Sequence, residues 1–130
     1  MNNLKISHIG IVTDNIEKYL QNSFIEKKSP ILEDPNQHIK ICYIDNLEII
    51  QPTSEKSPVY AFLQKTKGGL HHICFEINDY SKLQTLINQK KIIPLSSPSP
   101  LFNDPTKTSL WALSKNKELL EFVYISAIRN

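Results

Sequence analysis

The sequence repeats itself at long range, and this constrains the fold more than any single motif. Residues 7–18, Ser-His-Ile-Gly-Ile-Val-Thr-Asp-Asn-Ile-Glu-Lys, line up with residues 71–82, His-His-Ile-Cys-Phe-Glu-Ile-Asn-Asp-Tyr-Ser-Lys, at a constant offset (72 minus 8, or 64). Each copy opens on His-Ile, continues through alternating strand-like positions, and reaches an Asn/Asp pair suited to capping a helix. The far ends of the halves match as well: Leu47-Glu48-Ile49-Ile50 resembles Leu120-Glu121-Phe122-Val123, a carboxylate inside an apolar strand. A repeat on this scale is a fold signature. It predicts two similar modules, each offering one histidine near its start and one glutamate near its end.

Composition narrows the classes. The chain has 130 residues, enough for one domain with a real core. Its formal net charge is only +2 and its lysines are scattered, so nothing predicts nucleic-acid binding. No apolar run approaches the roughly 18 residues of a membrane span. The first residues lack the order of a signal peptide, and the expectation is a cytoplasmic protein. Cys42 and Cys74 each fall in an apolar strand-like run and read as free core thiols.

Read in order, Leu4–Val12 is a strand and Asp14 or Asn15 caps a short helix over residues 16–20. Residues 22–37 carry breakers and no clear pattern. Residues 38–44 and 47–51 form a hairpin about Asp45-Asn46, and Pro52 is expected to stop its second strand. Ser57-Pro58 reads as the N-cap and first position of a helix that Gly68-Gly69 ends. Residues 70–77 are a strand; Asp79 opens a helix with Leu83, Leu86 and Ile87 on one face; residues 92–95 are a short strand. Residues 96–105 read as a proline-rich loop able to face a substrate or act as a lid. Residues 108–113 and 118–125 close the chain as a hairpin. Each half therefore approximates βαβββ, the first strand of the closing trio being weak in both: module one spans 1–56, a linking helix 57–67, and module two 68–130.

Strand alternation lets only one of the adjacent His71 and His72 face a site. His72 has the repeat partner, so His71 is read as its outward neighbour, and His38, which has none, as a surface residue. Glu76 alternates with His72 but falls at a strand end, a surface position. A carboxylate inside an apolar strand needs a cation, a proton or donors, unless it faces solvent on an open sheet. Two histidines and two glutamates in matched places suit a divalent metal. Taken singly, each of these four reads equally as an ordinary core or surface residue.

These residues resemble the vicinal oxygen chelate (glyoxalase/bleomycin resistance/dioxygenase) superfamily, and within it the methylmalonyl-CoA epimerases. The similarity rests on Ser57-Pro58-Val59, Ala61-Phe62-Leu63, Gly69 to Ile77, His8-Ile9-Gly10-Ile11 and Leu120-Glu121-Phe122-Val123. The resemblance implies an α+β fold of two tandem βαβββ modules forming a curved mixed sheet around a metal site, as a homodimer. It implies metal ligands at His8, Glu48, His72 and Glu121, with cobalt, manganese, nickel, zinc or iron as the ion. It also implies an epimerase or isomerase that forms an enolate of a small acyl substrate, such as a CoA or acyl-carrier thioester, with Glu48 and Glu121 as the catalytic candidates. Glyoxalase I-like lyases and small-molecule binding or resistance proteins share the ligand set. Some epimerases place an additional glutamate in the second strand, where this chain has Ile41; residues 97–102 and 113–117 also depart from the epimerase pattern.

Overall fold

The computed structural model describes residues 4–26, 29–101 and 104–125. Among them the chain forms nine strands and three helices, an α+β structure of mixed parallel and antiparallel pairing. None of these helices is long and apolar enough to cross a membrane. The chain divides into two compact units, one of residues 8–71 and one of residues 72 onward together with those before His8.

In the unit His8–His71, β1 (Leu4–Val12) pairs in parallel with β4 (Leu47–Pro52), which pairs antiparallel with β3 (Ile39–Ile44), which in turn holds β2 (Leu32–Asp34). Helix α1 (Ile16–Asn22) starts where the sequence predicts, with the Asn15 side chain accepting from the Lys18 N–H at 3.0 Å. It packs Ile16 on Cys42, Ile44 and Ile49. The opposite strand faces gather Val12, Ile39, Ile41 and Ile50 with Val59. Asp45, at φ 53°, makes the tight hairpin turn.

Several expectations in this unit are corrected. The segment without a clear pattern contains β2, whose last residue, the buried Asp34, accepts from the N–H groups of Asn36 and Gln37. Local capping of a turn, rather than apolar alternation, is what shapes that segment. His38 sits at φ 54°, half-buried, and β3 begins one residue later, at Ile39. Pro52 remains in β4, opposite Ile39. Ser57 is not a helix N-cap: its hydroxyl accepts from the Val59 N–H and its carbonyl from Tyr60, a preceding turn, and α2 (Tyr60–Thr66) begins after it. Lys67 ends α2 in the left-handed region. Gly68 follows at φ 103°, where a Cβ would stand 2.8 Å from the Val12 carbonyl oxygen. Only glycine fits both the dihedral and that approach.

In the second unit, β5 (Gly69–Ile77) pairs in parallel with β9 (Leu119–Ile125), which pairs antiparallel with β8 (Lys107–Ser114), which holds β6 (Ile92–Pro94). This repeats the order of the first unit. Asp79 caps α3 (Tyr80–Asn88) by accepting from the Ser81 N–H. Leu83 of α3 is fully buried with Ile77, Ile92, Leu110, Ala112, Leu120 and Phe122. The proline-rich segment is not wholly loop. Its residues Ser99–Pro100 form β7 against Ser109 and Thr108, and Leu101 donates to the Lys107 carbonyl. An edge strand accepts proline where its missing N–H points away from the ladder. Residues 102 and 103 of that segment lie outside the described ones.

Candidate functional site

Period-two alternation sorts each unit's strands into a helix-covered face and a second face. In the first unit Ile49 meets α1, and its neighbour Glu48 therefore points to the other side, with Tyr43 and Ile50. In the second, Leu120 and Phe122 join the core under α3, and Glu121 points away with Ser109 and Trp111. The parallel ladders set the histidines relative to these carboxylates. Gly10 is the register partner of Glu48, and Cys74 that of Glu121. His8 and His72 each stand two positions earlier on the same face.

The outcome is two matched pairs. His8 Nε2 lies 3.3 Å from Glu48 Oε1, and His72 Nε2 lies 3.5 Å from Glu121 Oε1. The second pair is deeply buried, with side-chain exposures of 1% and 9% against 16% and 12% for the first. Each carboxylate's other oxygen has a hydroxyl donor. Tyr43 donates to Glu48 Oε2 at 3.1 Å, and Ser109 donates to Glu121 Oε2 at 2.7 Å. Each glutamate also has an aromatic residue directly opposite it on the antiparallel side, Tyr43 for Glu48 and Trp111 for Glu121. Both rings stand edge-on to the histidine of their pair, at 6.3 Å for Tyr43 with His8 and 4.7 Å for Trp111 with His72.

These nitrogen and oxygen donors fit a borderline divalent ion such as zinc, cobalt, nickel, iron(II) or manganese. Imidazole and carboxylate stand side by side, and each carboxylate carries a further hydrogen-bond partner, the support that metal-ligating groups need. The sequence reading missed Tyr43, Ser109 and Trp111. Cross-strand register from Glu48 finds Tyr43 once the Asp45-Asn46 turn is recognised. Ser109 and Trp111 depend on the register of a longer turn, Ser114 to Glu118, where Lys117 takes a positive φ and Ser114 bonds Glu118.

Of the other sequence candidates, His71 and Glu76 make contacts of their own, while Cys74 Sγ lies within 4.8 Å of a Glu121 carboxylate oxygen. His71 points to the strand face opposite His72, half-buried and edge-on to Phe62 of α2 at 4.8 Å. Glu76 forms a half-exposed ion pair with Lys107 at 3.6 Å, at the strand end where the sequence put it on the surface. It borders a cleft of about 360 Å³ with Lys5 and Tyr124, whose phenol is pushed up by burial and then by Tyr80. Cys42 and Cys74 are buried thiols outside any disulfide, as their apolar runs predict. Cys74 nevertheless holds the place that Gly10 holds in the first unit, beside the Glu121 carboxylate.

Comparison with known proteins finds relatives in sequence and in fold. Human mitochondrial methylmalonyl-CoA epimerase is 28% identical over 100 residues, 71% of this chain and 57% of that one. The chain thus spans less than two thirds of that relative's length. Among solved structures, a hypothetical protein of Bacillus halodurans C-125 superposes with a TM-score of 0.83 at 23% identity, covering 99% of both chains. A Streptomyces coelicolor methylmalonyl-CoA epimerase variant, in complex with 2-nitronate-propionyl-CoA, gives 0.75 at 22% identity over 95% of this chain and 98% of that one. At these identities the structural likeness is one of fold. Residues 7–105 match the family model of the glyoxalase/bleomycin resistance protein/dioxygenase superfamily. With that match over most of its length, and the same fold in both solved structures, the chain belongs to the glyoxalase/bleomycin resistance protein/dioxygenase superfamily.

Proposed function

We propose that this protein is a metal-dependent epimerase or isomerase of the methylmalonyl-CoA epimerase type, acting on a small acyl thioester. His8, Glu48, His72 and Glu121 would together hold one divalent ion. The observation that carries this reading is the duplicated pair, an imidazole Nε2 within 3.5 Å of a carboxylate in each unit, set by the same parallel register. Chance places one histidine beside one glutamate easily. It does not readily place two such pairs at equivalent positions of a repeat.

The bound ion would supply Lewis-acid stabilisation of negative charge developing on a substrate carbonyl oxygen. The chain's own residues would handle the proton. Ile41, where some epimerases carry an extra carboxylate, is buried on the face of β3 that also carries Tyr43. That leaves Glu48 and Glu121 as the proposed proton carriers. A carboxylate oxygen takes the proton from the carbon next to the carbonyl, the C–H electron pair moves toward that carbonyl, and a proton returned to the opposite face inverts the centre. Trp111, beside His72, would exclude water from the second pair.

The substrate class comes from relatives with methylmalonyl-CoA and ethylmalonyl-CoA epimerase activity in their names. We infer a homodimer from the same kinship, with the exposed Ile6 and Leu70 available to be covered. The test is exchange at the substrate α-carbon. Metal-loaded protein in deuterated buffer should introduce deuterium into methylmalonyl-CoA, read by mass spectrometry. A loaded protein that leaves the α-proton in place would overturn the epimerase reading.

A further inference from the structure

We infer that Tyr43 and Ser109 are matched positioning residues for the two ligand carboxylates. This rests on the metal-site reading and goes beyond it, since neither residue belongs to the four-ligand set. In both units Oε1 of the glutamate lies beside histidine Nε2 while Oε2 accepts a hydroxyl hydrogen bond. The donors come from different places and different chemistry. Tyr43 is the direct cross-strand partner of Glu48. In the second unit that direct place belongs to Trp111, edge-on to His72, and a hydroxyl comes from Ser109, two positions along β8. The same function is met by a phenol in one half and an aliphatic hydroxyl in the other. Simple inheritance of a repeated residue does not account for that; a requirement at Oε2 does.

The requirement is physical. A glutamate side chain has three rotatable bonds, and a carboxylate free to turn presents either oxygen in any direction. A hydroxyl that occupies Oε2 fixes the plane of the group and leaves Oε1 directed toward the imidazole. Loss of such an outer partner typically costs 10- to 100-fold in metal affinity. Ser109 is buried, and its 2.7 Å bond lies in a drier setting than the 3.1 Å bond of Tyr43, so Ser109 should matter more.

The experiment measures cobalt(II) affinity by competition with a chromophoric chelator, for wild type, Tyr43→Phe, Ser109→Ala and Ser109→Thr. Thermal melting of the metal-free proteins runs beside it. The inference expects roughly 10-fold or greater weakening in Tyr43→Phe and more in Ser109→Ala, with recovery in Ser109→Thr, which keeps the hydroxyl. The metal-free melting temperatures should not follow that order, because the effect is on ligand orientation. If wild type binds cobalt and the hydroxyl-deleted variants bind as tightly, the positioning role is overturned while the metal site stands. If wild type binds none, the metal site fails and this inference with it. If Ser109→Thr fails to recover affinity although it melts like wild type, the hydroxyl is not the group responsible.

Discussion

His72 and Glu121 are brought within 3.5 Å of each other by two strands that run parallel, so that the glutamate stands beside Cys74 and the histidine two residues before it. Neither side chain reaches the other through a loop, and both are nearly inaccessible to water. Glu121→Gln preserves volume and can still accept from Ser109, but offers a neutral oxygen. It should reduce divalent-metal affinity by at least 10-fold, with a metal-free melting temperature close to that of wild type. Unchanged affinity in a calorimetric titration would remove Glu121 from the ligand set.

The two glycines that follow the Lys67 cap of α2 offer a test of the backbone argument. Gly68→Ala would place a methyl group 2.8 Å from the Val12 carbonyl oxygen at φ 103°, whereas Gly69→Ala would be strained at φ 116° but meet open space. Each left-handed strain costs about 1–3 kcal/mol. Urea midpoints should show both variants destabilised and Gly68→Ala clearly the worse. Equal midpoints would mean that β1 yields to the added atom.

Asp79, the N-cap of α3, makes stability depend on acid. The Ser81 backbone N–H, and then the Ser81 hydroxyl, hold its carboxyl below the ordinary aspartate value of 3.8. A group whose pKa is lowered by folding stabilises the fold above its unfolded pKa, and that contribution disappears as pH falls through the folded value. Asp79→Asn caps the helix without titrating. The advantage of wild type over Asp79→Asn should thus be constant near neutrality and shrink as pH drops below about 4. Urea midpoints from pH 7 to pH 3 measure it, and a difference that does not change with pH would contradict the assignment.

The repeat explains why so much of this fold was legible in the sequence. Where a strand is buried on one face and capped by a turn with clear chemistry, the two copies reinforce each other: Leu4–Val12 and the α3 cap at Asp79 appear where they were expected. His8, Glu48, His72 and Glu121 were legible for the same reason, since each has a counterpart. What escaped was local or register-dependent. β2 is only three residues long and β7 two, too short for alternation to register. Ser57 looks like a helix cap because a serine before proline usually is one; here its hydroxyl serves the turn before the helix. Tyr43 and Ser109 carry no motif, and only the strand pairing reveals that they point at the carboxylates.

The most direct test of the central claim is the metal content of purified protein, wild type beside His72→Ala, with His8→Ala, at the less buried of the two histidines, as a control for folding. Elemental analysis after exposure to cobalt or manganese should find close to one ion per wild-type chain and little in either variant, each of which melts cooperatively. No ion in the wild-type protein, or an ion retained fully by both variants, would contradict the account and leave the paired histidines and glutamates as hydrogen-bonded elements of the fold.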